Sequence, residues 1–208
     1  MPGNLLAEVA TTDDDWNVDL TAAPAPSPMT TAELEAKLDW IRDSPADGGR
    51  LELILRRPAI DQREALAEAV LDREVGLIGD NWHSKPSTSS RDGGPHPDKQ
   101  LTLMNSRVAG LIARAPERMT LAGDQLYVDL DLSIANAPAG TRLAIGTAII
   151  ELTEPPHLGC EKFVSRFGQE AMRFVNSAAG RSLRLRGANA KVVTDGVVRV
   201  GDAVTKSG

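Results

Sequence analysis

Gln125-Leu126-Tyr127-Val128-Asp129-Leu130-Asp131-Leu132 decides the fold class. Side chains of an extended chain alternate between two faces. Leu126, Val128, Leu130 and Leu132 therefore share one face, while Gln125, Tyr127, Asp129 and Asp131 share the other. The pattern predicts a half-buried strand. Leu51, Leu53 and Leu55, alternating with Glu52, Ile54 and Arg56, predict a second, and Leu101 to Leu103 a short third. Leu143 to Leu152 reads as another, interrupted at Gly146, where a glycine marks a bulge or tight bend. Lys191–Thr194 and Val197–Val200 flank Asp195-Gly196, the signal of a two-residue hairpin.

Helical spacing is confined to short stretches. Thr30 and Thr31 offer caps, Glu33 and Glu35 suit the first turn, and Leu34, Leu38 and Ile41 make an apolar stripe that stops near Ser44-Pro45. Asp61 to Leu71 places apolar residues at 65, 66, 69 and 70, which predicts a short amphipathic helix. Asn105 is positioned to cap a helix running to about Arg114, and Gly168 to Ser177 reads as a further helix. Strands dominate, without regular βαβ alternation, so the expected class is β-rich α+β: a mixed or antiparallel barrel with a few short peripheral helices. Closing the sheet removes exposed strand edges.

At 208 residues the chain is long enough for one substantial core. Its net charge of −6 argues against a nucleic-acid partner. No apolar run approaches the ~20 residues of a membrane span. No basic segment followed by an apolar stretch opens the chain, and a single cysteine suits a reducing compartment, so the expected location is the cytoplasm. Residues 1–29 read as a flexible arm, acidic at first and then rich in Ala and Pro. Residues 30–49 supply an N-terminal helix and turn, and residues 50–206 the main domain.

Cys160 lies in Glu154-Pro155-Pro156-His157-Leu158-Gly159-Cys160-Glu161-Lys162-Phe163-Val164-Ser165-Arg166-Phe167-Gly168. A lone cysteine has no intrachain disulfide partner, which leaves packing, metal ligation or sulfur chemistry. Cationic neighbours such as Lys162 and Arg166 favour the thiolate, the form that attacks and that ligates metal. From Cys160 to Lys206 there are nine Lys or Arg against four acids, a balance suited to an anionic ligand. Phe163, Phe167 and Phe174 stand near helical spacing and read as core anchors beneath the cysteine.

An ordered set of short motifs resembles the MOSC domain family, the C-terminal domain of molybdenum-cofactor sulfurases. Gly76-Leu77-Ile78-Gly79-Asp80-Asn81-Trp82-His83 resembles the family's Gly-Leu-x-Gly-Asp-x-x-His turn, and Gln100 to Asn105 the strand that follows it. Ala122-Gly123-Asp124-Gln125-Leu126 is similar to the Gly-Glu-Asn-Leu segment, with Asp124-Gln125 replacing the usual Glu-Asn. Ile145 to Ala148 resembles the strand leading to the cysteine. Pro155 to Cys160, with Phe167-Gly168, resembles the cysteine region, and Gly196 to Asp202 the terminal hairpin. The usual arginine after the first turn has Arg91 as its nearest counterpart, in the long polar loop 84–99.

The resemblance implies a β-barrel, an essential cysteine, and molybdenum cofactor or sulfur transfer. In one reading Cys160 ligates molybdenum. Lys162, Arg166, Arg184, Arg186, Asn105 and His157 are then candidates for the anionic pterin and its phosphate, and His83, Asp80 or His157 for proton supply, in the reduction of an N-hydroxylated substrate. An electron-transfer partner would serve that reaction. In a second reading Cys160 carries a persulfide supplied by a cysteine desulfurase, since the chain is too short to build its own pyridoxal-phosphate site. A third makes the domain a non-catalytic binding module with a structural cysteine.

Overall fold

The computed structural model describes residues 26–84, 86, 90 and 93–208. The expected arm therefore lies outside the described residues up to residue 25, as does Arg91. In chain order the strands are β1 (Gly49–Arg56), β2 (Glu64–Leu66), β3 (Glu68–Asp72), β4 (Gly76–Leu77), β5 (Leu101–Asn105), β6 (Leu126–Asp129), β7 (Arg142–Ile145), β8 (Ala148–Pro156), β9 (Ala188–Thr194), β10 (Gly196–Arg199) and β11 (Ala203–Ser207). The α-helices are α1 (Thr31–Glu35), α2 (Leu38–Arg42), α3 (Ser106–Ala113), α4 (Glu161–Asn176) and α5 (Ala178–Ser182).

Seven strands close into a mixed barrel in the order β1-β6-β5-β9-β8-β7-β11, with β11 pairing back onto β1. The β5–β6 pair is parallel, and the other pairs of the ring are antiparallel. Leu126 and Val128 point into the barrel with Leu51, Leu103, Leu143 and Ile150. Tyr127, expected on a solvent face, is also fully buried, because helices cover that side. Its hydroxyl donates to Met119 O at 2.9 Å, which satisfies the polar end. The second core lies outside the barrel wall: Leu55, Met104 and Tyr127 meet Leu34, Val108, Phe163, Phe167 and Phe174. The three phenylalanines are core anchors as expected, and the Phe163 and Phe167 rings sit 4.9 Å apart.

Several local expectations are corrected. Asp61–Leu71 is not helical but forms β2 and β3, because Leu66 pairs with Ile54 and Val70 with Val197, so edge pairing overrides the helical spacing. Leu143–Leu152 is a hairpin of β7 and β8 rather than one strand. Gly146, at φ +55, makes its turn, and a Cβ there would lie 2.3 Å from Val197 O. β9 and β10 do not pair with each other across Asp195-Gly196. β10 joins β3 and β4 in a separate three-stranded sheet, and Asp195 is held by Arg73 at 3.1 Å. The N-terminal helical stretch is divided into α1 and α2, and the helix expected from Gly168 begins earlier, at Glu161, with non-helical backbone at Gly168. Asn105 caps α3 as expected, accepting from Arg107 N at 2.9 Å and Val108 N at 3.3 Å.

Candidate functional site

Where β1 and β8 end and β6 and β9 begin, the chain leaves a groove of about 880 Å3. Cys160 lies in it, exposed, at the start of α4. The turn carrying it is pinned from behind. Gly159 N donates to Asn176 Oδ1 at 3.0 Å, and Asn176 Nδ2 donates back to Gly159 O at 3.3 Å. Upstream, Asn189 Nδ2 holds Pro155 O at 2.9 Å. Downstream, Phe163 N donates to Cys160 O at 2.9 Å as α4 begins. The thiol thus stands on a fixed backbone.

Five cationic side chains share this groove: Arg57, Arg63, Lys162, Arg166 and Arg186. The structure brings together Cys160, His157, Lys162, Arg166 and Arg186 of the residues singled out in the sequence. Arg57 and Arg63 had no motif to flag them and come from the β1–β2 connection. Arg57 is fixed by Asp80, with Nε to Oδ2 and Nη2 to Oδ1 both 2.8 Å. The Asp80 side chain is fully buried, so it serves the groove through Arg57. Gln125 runs from that pair into the wall, its Oε1 accepting from Thr102 N at 2.9 Å and Thr102 Oγ1 at 2.7 Å.

Beneath the groove Asp124 accepts from Arg186 Nη1 at 2.7 Å and meets His157 Nε2 at 2.9 Å. Burial would raise the Asp124 carboxyl, but the Arg186 charge and the His157 contact outweigh it and hold the group at about 2. Asp124 is therefore an acceptor, so His157 Nε2 carries the hydrogen and Nδ1 is the acceptor nitrogen of the neutral ring. Burial, reinforced by Arg186, lowers the His157 pKa and favours that neutral form. Asp124 marked only a departure from the family motif at the level of sequence. In the fold it joins Arg186 to His157.

The guanidinium groups leave unmet capacity. Arg186 is buried and Nε of both Arg63 and Arg186 lacks a hydrogen-bond partner among the described residues. Buried donors without acceptors are rare in folded proteins. These two Nε atoms are closed to solvent, so the groove's capacity for an anion lies in its cationic side chains as a set, and Arg presents a fork that matches phosphate. An exposed thiol among cationic side chains fits a soft metal carried on an anionic pterin. Among the described residues no group of three or more His, Cys, Asp or Glu is placed to hold a metal ion by itself.

Other sequence candidates sit elsewhere. His83 is exposed beside Trp82 and does not line the groove. Asn105 is buried, its Nδ2 donating to Ser44 Oγ and Leu130 O, both at 2.8 Å. Arg184 borders a separate cavity of about 220 Å3 that shares His157 with the groove, and its Nη1 donates to Ala137 O.

The MOSC domain profile matches residues 92–205, more than half of the chain and including Cys160. The chain belongs to the MOSC domain family. The fold of this MOSC domain is similar to that of the YuaD protein from Bacillus subtilis, with TM-score 0.56 and 15% identity over 75% of this chain and 93% of that one. It is also similar to YiiM from Escherichia coli, with TM-score 0.50 and 19% identity over 76% of this chain and 70% of that one. At these identities the likeness concerns the fold alone. No curated protein matches the sequence. Among the described residues no helix is long and apolar enough to cross a membrane.

Proposed function

We propose that this MOSC domain binds molybdenum cofactor in the Cys160 groove and supports reduction of N-hydroxylated substrates. One observation carries the proposal: the exposed Cys160 thiol shares a groove with five cationic side chains. MOSC domains are associated in general with that cofactor. When bound, it supplies two-electron chemistry at oxygen.

The chain's own residues have separable tasks. Cys160 offers a soft thiolate ligand on a backbone fixed by Asn176. Arg63, Lys162, Arg166 and Arg186 hold anionic groups, Arg by its fork and Lys as a point charge. Asp124 orients Arg186 and fixes the His157 tautomer, leaving Nδ1 to accept from an N–H or O–H of a bound molecule. Converting N–OH to N–H takes two electrons and two protons and releases water. Those protons come from groups or water at the groove, and the electrons from a partner.

Turnover of an N-hydroxylated amidine with a chemical reductant tests the proposal. Wild-type protein is expected to reduce it and Cys160→Ala to lose at least nine-tenths of the rate, whereas full turnover by the variant overturns it. The exposure of Cys160 also favours a second reading, persulfide transfer, because an outer sulfur must reach its acceptor. A mass gain of about 32 Da on Cys160 after incubation with a cysteine desulfurase supports that alternative.

A further inference from the structure

Two carboxylates of this site are permanent parts of it. Asp80 and Asp124 are fully buried, and each receives close bonds from arginine. A third, Asp61, is held differently. Its Oδ1 lies 3.3 Å from Arg166 Nη2 and 3.8 Å from Lys162 Nζ, longer than strong charge-assisted bonds of about 2.7–2.9 Å. The Asp61 side chain remains 64% exposed. It thus occupies two of the five groove cations loosely, as a carboxylate from the protein's own chain.

The segment carrying Asp61 is built so that its tip can move without disturbing its ends. Residues 57–63 connect β1 to β2. At one end Arg57 is gripped by buried Asp80, and at the other Arg56 Nε bonds Glu64 Oε2 at 2.8 Å. Between these anchors Ile60 is 82% exposed, so no core contact ties down the tip. Asp61 itself adopts φ +60, a left-handed conformation that Asp, Asn and Gly tolerate best. Arg63 Nη1 donates to Asp61 O at 3.1 Å, while its Nε lacks a partner among the described residues.

We propose that Asp61 is a built-in counter-anion that a phosphate-bearing ligand displaces from Lys162 and Arg166, so that Asp61 sets which anions the groove accepts. The proposal rests on reading the groove as an anion site and adds selectivity to it. A monocarboxylate brings the same charge and geometry as Asp61 and gains nothing by exchange. A phosphate dianion brings more charge and a third oxygen, and it can engage Arg166, Lys162 and Arg63 together. Exposed ion pairs of the Asp61 kind oppose displacement only modestly, so the segment releases for phosphate while screening the groove from weaker anions.

Titration calorimetry of the full chain with inorganic phosphate, at one fixed ionic strength, tests this. Asp61→Asn keeps a residue suited to φ +60 and removes the charge. It is expected to bind phosphate about fivefold tighter than wild type at unchanged thermal stability, with Asp61→Gly behaving alike. Arg166→Gln is expected to weaken phosphate binding in both backgrounds. Equal affinity in wild type, Asp61→Asn and Asp61→Gly, with Arg166→Gln still weakening all three, overturns the role of Asp61 and leaves the anion site standing. Absence of phosphate binding in every protein overturns the anion site as well.

Discussion

Replacing Asp124 by Asn removes one charge from beneath the groove while keeping the shape of the side chain. In the wild type the carboxylate is fully buried, with Arg186 at 2.7 Å and His157 at 2.9 Å. The variant leaves the buried Arg186 guanidinium without its counter-ion. Breaking a buried pair from one side costs about 3–5 kcal/mol, and because Asn retains one acceptor oxygen the lower end, about 3 kcal/mol, is expected. For a chain of this size that corresponds to a fall in Tm of roughly 6–12 °C. The cost has a pH signature. Asp124 titrates at about 2, below its ordinary value of 3.8. A lowered carboxyl contributes stability that is fully present above its unfolded pKa and is lost as the pH falls through the folded value. The difference between wild type and variant should therefore narrow by about 2 kcal/mol as the pH falls from 5 toward 2. Urea unfolding of both proteins along that series measures it. A cost below about 1 kcal/mol at pH 7, or a difference that does not change with pH, refutes the assignment of Asp124 as the counter-ion of Arg186.

His157 has a lowered pKa, so its contribution is present above the ordinary value of 6.5 and is lost as the pH falls below it; between pH 7.5 and 5.5 the unfolding free energy of His157→Asn should therefore fall less steeply than that of wild type. Gly187 lies at φ +111, and a Cβ there would stand 2.1 Å from Leu103 O, so Gly187→Ala should lose at least about 2 kcal/mol in the same unfolding assay. Asn105→Ala removes the α3 cap and two buried donors. It should lower stability by about 2 kcal/mol while molybdenum content per folded protein stays at the wild-type level, since Asn105 faces Ser44 and Leu130 rather than the groove.

The barrel was legible where one face of a strand carried the signal. Leu126 and Val128 point inward as their alternation predicts, and Asn105 caps the helix that follows it. Tyr127 departed from the pattern because a helical layer buries the outer face too, and no period-two pattern reports a second covering layer. Asp61–Leu71 departed because its strand partners lie outside the segment, Ile54 across the preceding connection and Val197 far along the chain, and pairing with them outweighs a weak local preference for helix. The same distance explains the site. Cys160, Lys162 and Arg166 are close in sequence and were read together. Arg57 and Arg63 arrive about a hundred residues earlier in the chain, with no local motif. Asp124 stood inside a quoted motif, yet its partners Arg186 and His157 are joined to it only by barrel closure. His83 was attractive for its place in the first turn, but that turn presents Asp80 inward to Arg57 and leaves His83 exposed.

The most direct measurement is the molybdenum-to-protein ratio, by plasma mass spectrometry, of wild type and Cys160→Ala purified from a cofactor-competent host. Near one molybdenum per wild-type chain, falling at least tenfold in the folded variant, is the predicted result. Equal metal in the two proteins, or none in the wild type, contradicts Cys160 as the ligand of a resident cofactor.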